Sequence, residues 1–331
     1  MRHDEIRSNL RLDGIDILRG VAIFAVVIYH YFMRFDPEYL LSQYSWRSGP
    51  PLWLGVDLFF IVSGFCIAFT LSRSTTLTEF WAARVARLQP AYLAAAVLTF
   101  GVVAVAGLPG READATTLVA NLLWLNAAGV APHVDGVYWS LVVELKFYLL
   151  VGALWVIFSQ GRRLAAAWAV LCLLSMASHA VHPGVASQVL LYPFNVFFLF
   201  GMVLFHARAM SWGEIAAHGL VVALGVLSAP RYGAVLGEAA FVLAFAAALV
   251  HVRRLPGMRW LTYIGVVSYA WYLVHQNIGL VIIREVNRAE LFWAAAPAAA
   301  IATFAMAMAL HHGVELRFRK PLTAVLALPI R

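Results

Sequence analysis

Ten apolar runs, most of them close to twenty residues long, follow one another along the chain, and this succession limits the fold more than any other feature. The hydrocarbon core of a bilayer is about 30 Å thick, and an α-helix crosses it in about twenty residues. The runs fall at about 15–33, 52–71, 88–107, 138–158, 164–181, 187–206, 215–230, 234–252, 261–283 and 291–312, the seventh being short. Hydrophobic residues make up 63% of the sequence and charged residues 12%, whereas about a quarter of a soluble domain is charged. An all-α, polytopic membrane protein is therefore expected, with about ten transmembrane helices in a single domain over residues 1–331. One more run, 117–131, is too short to cross and reads as an interfacial or re-entrant helix on the outer side.

The formal net charge is +7. It does not point to nucleic acid, because the basic residues sit in short clusters between apolar runs, where membrane topology accounts for them. With the N-terminus in the cytoplasm, seventeen of the 24 Lys and Arg residues fall inside, from Arg2, Arg7 and Arg11 through Arg84 and Arg87 to Arg331. Only Arg34, Arg47, Arg111, Arg231, Arg284 and Arg288 fall outside. Both termini are thus expected in the cytoplasm, with the protein integral to a bacterial cytoplasmic (inner) membrane and in contact with its lipid. Tyr-His-Tyr-Phe-Met-Arg follows the first run in place of a small-residue cleavage site, so that helix is expected to be retained. Cys66 and Cys172 both lie within apolar runs and indicate neither a disulfide framework nor a thiolate metal site; no metal is expected.

Polar residues inside these runs are the functional candidates, because ionisable groups are costly in hydrocarbon. The first run carries Arg19 and His30, eleven residues apart. At 100° per residue both side chains face one way, about 16 Å apart along the axis. Taken singly, Arg19 also reads as a positive-inside anchor and His30 as a histidine bonded to a neighbouring helix. The second run contains Asp57, an acid at a depth that demands a partner, and Ser63-Gly64, a small surface for close helix approach. Beyond it come Arg73 and then Arg84 and Arg87, which share a helical face at the cytoplasmic surface and suit phosphate groups or anionic lipid. In the fourth run Ser140, Glu144 and Tyr148 repeat every four residues as one polar stripe after Trp139, while Lys146 points elsewhere. The ninth run places Tyr272 and His275 on one face. Counting from each boundary puts His30, Asp57, Glu144 and His275 in the outer half and Arg19, Arg84 and Arg87 at the inner face. That sorting suggests a channel with an anion-binding cytoplasmic mouth and a proton-handling centre nearer the outside.

On these residues the chain resembles the acyltransferase 3 family, integral membrane enzymes that O-acylate sugars of surface polysaccharides and related acceptors. The matching pieces, in the family's order, are Asp16 to His30, Gly55 to Phe65, Phe80 to Tyr92, Trp139 to Tyr148, Ser268 to His275 and Val314 to Leu322. The resemblance implies a ten-helix core, an acyl-CoA donor and an essential histidine at His30 with Arg19 as its companion. Leu145 stands where the family often has a second acid. Acyl transfer to a hydroxyl needs a base for the alcohol proton and cations for the donor's phosphates. His30, Arg19, Glu144 and Asp57 are accordingly the catalytic candidates, with Glu144 or Asp57 orienting His30. Arg84, Arg87, Arg73 and Ser63 are the candidates for acetyl-CoA or another acyl-CoA, and His275, Tyr272, Trp139 and Tyr148 those for a polysaccharide or glycolipid acceptor. Base catalysis by His30 and its own acylation both remain open, as do a small glycosylated metabolite as acceptor and, in another class, a proton-coupled transporter or flippase.

Overall fold

The computed structural model describes residues 12–34, 49–158 and 161–327. Arg2, Arg7, Arg11, Arg47 and Arg331, which enter the charge asymmetry, lie outside the described residues. Among the described residues the secondary structure is helical throughout, with no strand. Helix α1, Asp13–Ile28, runs into a π-turn at Tyr29–Arg34; α2 is Gly55–Leu71, α3 Leu77–Ala106, α4 Ala115–Leu122, α5 Tyr138–Ile157, α6 Gly161–Val181 and α7 Pro183–Gln188. There follow α8, Asn195–His206, α9, Trp212–Ser228, α10, Pro230–Gly233, and α11, Leu236–Leu249. The chain continues with α12, Arg259–Val274, α13, Gln276–Arg288, and α14, Phe292–Leu310, which passes through a π-turn at His311–Glu315 into α15, Leu316–Leu326.

Six stretches among the described residues are long and apolar enough to cross a membrane: Asp13–Arg34, Leu52–Leu71, Leu77–Ala106, Tyr138–Ile157, Gly161–Val181 and Phe292–Leu326. A seventh is the broken pair α12 and α13, bent by 75°. This is an integral membrane protein. Where ten spans were expected, the seventh of them short, three of the apolar runs form shorter helices, Asn195–Ala209, Trp212–Ser228 and Leu236–Leu249. Local chemistry sets their ends. Ser211 and Glu214 form a reciprocal capping box that starts α9, and Pro230, which has no N–H to continue the ladder, opens a separate turn after it. At 1.5 Å per residue, a fifteen-residue helix covers only about 22 Å.

Caps shift two other boundaries. The Thr76 hydroxyl accepts the Glu79 N–H at 3.2 Å, and the Glu79 carboxylate accepts the Thr75 N–H at 2.8 Å. Helix α3 therefore begins at Leu77, well before its apolar run, and carries Arg84 and Arg87 within the helix. At the start of the short run expected over 117–131 a helix is present as α4, eight residues long, with Asp114 accepting the Thr117 N–H at 2.6 Å. It ends at Leu122, and Trp124, with a φ of 59°, turns the chain into a 3-10 turn at Leu125–Ala128.

The helices group into two compact units built from interleaved segments. One comprises Met1–Phe24, Trp53–Ser72 and Phe147–Val266, the other Ala25–Leu52, Arg73–Lys146 and Val267–Arg331. In the first unit α2 lies directly on α8. A Cβ on Gly64 would overlap the Phe198 carbonyl, and one on Gly201 would overlap the Ile61 carbonyl, so two glycines let the backbones touch. Phe147 stacks on Phe198 at 4.0 Å between ring centres. Asn195 donates to Ser175 Oγ at 2.6 Å and to Leu190 O at 2.8 Å. In the second unit α14 packs on α13, while α15 and the π-turn before it pack on α3.

The glycine contact yields a paired test. Gly64→Ala forces apart two backbones in contact and is expected to cost about 1–3 kcal/mol, the range for overpacking a filled interior. Gly101→Ala, where an added Cβ meets nothing within 4 Å, is expected to be neutral or stabilising. Melting temperatures of the two purified variants in detergent check this, and equal shifts would refute the close α2–α8 contact.

Candidate active site

The second unit brings His30 and His275 together. His30 sits in the π-turn that ends the first span, and π-turns inside helices recur at functional sites. Its ring Nδ1 lies 2.8 Å from the Val26 carbonyl oxygen and 3.2 Å from His275 Nε2. The next residue, Tyr31, donates its hydroxyl to the His275 carbonyl at 2.7 Å. Two successive residues of α1's π-turn therefore hold residue 275, one by its ring and one by its backbone. Gly279 makes room for this, since a Cβ there would overlap the Tyr31 hydroxyl. Both histidines are buried.

His275 stands at the break between α12 and α13. A break inside a membrane exposes backbone groups that must be satisfied by protein, and here side chains supply the partners. The Tyr138 hydroxyl reaches Leu273 O at 3.3 Å, and His275 Nδ1 reaches Tyr272 O at 2.8 Å. Asp135, fully buried, accepts the Asn277 N–H at 3.0 Å and so caps the new helix from outside its own segment. Its other oxygen accepts Gln276 Nε2 at 2.9 Å and the Val137 N–H at 3.1 Å. Asn277 in turn donates to Val134 O at 3.0 Å and accepts from Arg111 at 3.4 Å. Asp135 lies in the loop before α5. Burial pushes its carboxyl up to about 6, against the opposite pull of the Asn277 and Val137 N–H groups and of Arg111.

Tyr272 extends the site along α12. Its hydroxyl is 2.6 Å from Ser140 Oγ, and both hydroxyls reach Val137 O, at 3.1 and 3.2 Å. Trp139 and Glu144 are half-buried on α5 in this same unit. Arg84 is buried and Arg87 half-buried on α3, and Arg73 is exposed before that helix. The π-turn packed on α3 carries a second buried pair, His311 Nδ1 and Glu315 Oε2, 2.8 Å apart.

The remaining candidates belong to the first unit. Arg19 donates to Cys66 Sγ at 3.4 Å and lies 3.9 Å from the Asp16 carboxylate. Asp57, fully buried, accepts the Tyr232 hydroxyl at 3.1 Å. Beside that tyrosine, the Arg231 guanidinium stacks over Trp53 at 4.4 Å. Ser63 and Tyr148 are buried there as well. No group of three His, Cys, Asp or Glu side chains among the described residues is placed to hold a metal ion.

Sequence reasoning singled out His30, His275, Tyr272 and Ser140, placing His275 with an acceptor and an acid beside His30; the structure sets the two imidazoles against each other. It passed over Tyr31, Tyr138, Asp135 and Asn277. Asp135 had a usable signal, an acid three residues before a span and followed by glycine. Tyr31 and Tyr138 look like interfacial aromatics and had none.

The model of the family described as "Acyltransferase domain" matches residues 12–312. The chain belongs to the acyltransferase 3 family. The match to this family takes in every site residue named above except Glu315. The chain is 33% identical over 170 residues to the O-acetyltransferase OatA of Staphylococcus aureus (strain NCTC 8325 / PS 47), covering 45% of this chain and 25% of that protein. It is 28% identical over 170 residues to the peptidoglycan O-acetyltransferase OatA of Listeria monocytogenes serovar 1/2a (strain ATCC BAA-679 / EGD-e), covering 46% of this chain and 25% of that protein. The chain thus spans about a quarter of the length of these curated relatives. No solved structure matches.

The raised Asp135 carboxyl has a pH signature. A group whose pKa rises on folding contributes stability that is full below its unfolded value, 3.8, and is lost as the pH climbs through about 6. The difference in thermal stability between wild type and Asp135→Asn is therefore expected to move against wild type between pH 4 and pH 7. A change in favour of wild type over that window, measured by intrinsic tryptophan fluorescence melts, would refute the buried state of this carboxyl.

Proposed function

We propose that the protein is a membrane-embedded O-acyltransferase, in its simplest form an O-acetyltransferase, that moves an acyl group from cytoplasmic acyl-CoA to a sugar hydroxyl. The acceptor is a cell-envelope polysaccharide or its lipid-linked precursor. The observation that carries this reading is a buried histidine, His30, held through its ring by a carbonyl and a second imidazole, in a chain of the acyltransferase 3 family. The printed names of the relatives, an O-acetyltransferase and a peptidoglycan O-acetyltransferase, support the acetyl group and a glycan acceptor. In this reading the helices form ten membrane segments with both termini in the cytoplasm of a bacterial inner membrane.

His30 accepts the hydroxyl proton as general base, or takes the acyl group itself, and a thioester donor serves either route. Arg84 and Arg87, with Arg73 and Arg19, supply cations for the donor's phosphates, a task that guanidinium groups perform through paired hydrogen bonds. Ser63 belongs with the donor. Tyr272, Trp139 and Tyr148 serve the acceptor, and Glu144 and Asp57 are acids available to the proton-handling steps.

Incubating purified protein in lipid with labelled acetyl-CoA and envelope glycan fragments tests the reading. Labelled ester on the glycan is expected, and His30→Ala is expected to lower its formation by about 10²–10⁴-fold. Wild-type rates in that variant would overturn the assignment, and substrate movement without acyl donor would turn the reading into a transporter. Separately, Arg84→Ala combined with Arg87→Ala is expected to raise the donor KM while changing kcat at saturating donor much less. An unchanged donor KM would remove the two arginines from the donor site.

A further inference from the structure

We infer that His275 is the positioning residue of His30, fixing its tautomer so that Nε2 is the reactive nitrogen, and that a neutral imidazole fills the place an acid holds in other histidine pairs. The inference rests on the acyl-transfer reading for its consequence, but the hydrogen-bond logic stands apart from it.

That logic leaves one arrangement. A carbonyl oxygen only accepts. His275 Nδ1 lies 2.8 Å from the Tyr272 oxygen, so it carries the hydrogen. The Nε2 of neutral His275 then bears a lone pair, and it points at His30 Nδ1, 3.2 Å away. His30 Nδ1 lies 2.8 Å from the Val26 oxygen and so must carry a hydrogen too. One N–H is thus shared between a carbonyl and an imidazole. A proton on His275 Nε2 would break this set, because two N–H groups would then face each other. The lone pair of His30 is therefore on Nε2.

The ring geometry fits a held pair, with centroids 5.0 Å apart and planes at 60°. Nothing in it depends on a long flexible side chain. His275 is fixed by its own Nδ1 bond and by the Tyr31 hydroxyl on its carbonyl, while His30 is fixed by Val26 and His275. The charge logic follows. As the acceptor oxygen bonds to the thioester carbonyl carbon, its proton passes to His30 Nε2 and the ring becomes an imidazolium. The Nδ1–H of that cation already points at two acceptors, so the charge meets preset partners. When the C–S bond breaks, the proton returns from Nε2 to the departing thiolate. In the covalent route Nε2 attacks the thioester carbon, the C–S bond breaks and the thiolate departs while the same Nδ1–H supports the acyl-imidazolium. The acceptor oxygen then takes the acyl group as the C–N bond breaks and its proton passes to that thiolate, so His275 acts alike in both routes.

Two measurements on the full chain in lipid bilayers decide the matter. In protein carrying 15N-labelled histidine, with His30 assigned by its loss in His30→Ala, solid-state NMR is expected to show His30 protonated at Nδ1 and bare at Nε2, with a nitrogen–nitrogen correlation to His275 across the hydrogen bond. The opposite tautomer overturns the proposal. In acetyl transfer, His275→Leu is expected to lower kcat on the order of 100-fold with little change in either KM, the low end of what positioned acid–base chemistry contributes. His275→Gln keeps an accepting oxygen and is expected to recover to within about tenfold of wild type. If the loss falls on acceptor KM and Gln gives no rescue, His275 binds substrate and the inference fails. The tautomer readout needs no turnover, so a protein that transfers no acetyl group refutes the proposed function while the pairing is still judged by NMR.

Discussion

The second unit depends on a break in a membrane helix that its surroundings close. Between Val274 and Gln276 the axis turns by 75°, and in hydrocarbon each backbone group released by such a turn costs several kcal/mol if left without a partner. Tyr31 comes from the π-turn after α1, Asp135 from the loop before α5 and Tyr138 from the first residue of that helix, so two segments distant in sequence are tied to one joint. His275 is the residue at that joint, and its ring is set by the same network that sets the backbone. An arrangement of side chains built on a loop would need other restraints; this one inherits rigidity from the requirement to satisfy the backbone.

The long spans were readable from the sequence because hydrocarbon thickness fixes their length. Leu52–Leu71 and Tyr138–Ile157 fall within a residue of their apolar runs. The break was not readable, because Leu273-Val274-His275-Gln276-Asn277 contains neither proline nor glycine and apolar residues resume at Ile278, so one run could be drawn through the three polar residues. What bends the chain there is the set of partners waiting outside the segment, above all Asp135, 142 residues away from the N–H it accepts. Hydropathy also overstated α8 and α11, since it counts apolar residues and is blind to local backbone breaks, while α9, 17 residues long, is close to its short run. At the site, depth counting brought His30 and His275 to one level, which is why both were singled out. It had no means of telling a ring that touches substrate from a ring that touches another ring.

The two units use their buried acids in different ways. Asp135 receives three N–H groups from the chain around it and acts as a structural cap. Asp57 receives a tyrosine hydroxyl beside a guanidinium stacked on aromatic rings, an arrangement that pairs a carboxyl with a cation-bearing aromatic cluster. Each acid is met by donors from elements distant in sequence. The polar groups of these apolar helices therefore serve as ties between segments as well as candidates for chemistry, and burial alone does not separate the two roles.

The nature of the His30 partner follows from the same energetics. A carboxylate beside a histidine stabilises the imidazolium strongly, but in an apolar interior it must first be buried as an ion, at several kcal/mol, and then supplied with donors to hold it there. The second unit has made that investment once, at Asp135, where three N–H groups are at hand. The acceptors that face His30 Nδ1 are a carbonyl and an imidazole, both neutral, and together they accept one N–H without themselves adding a charge to the resting site. The preference for the cation is weaker than an acid would give, yet it appears only when the ring is protonated, so in the proposed transfer it would lower the transition state without stabilising an ion pair in the ground state. For a base that works within a bilayer, a neutral partner avoids the desolvation cost of the resting state and keeps the stabilisation at the step where charge develops.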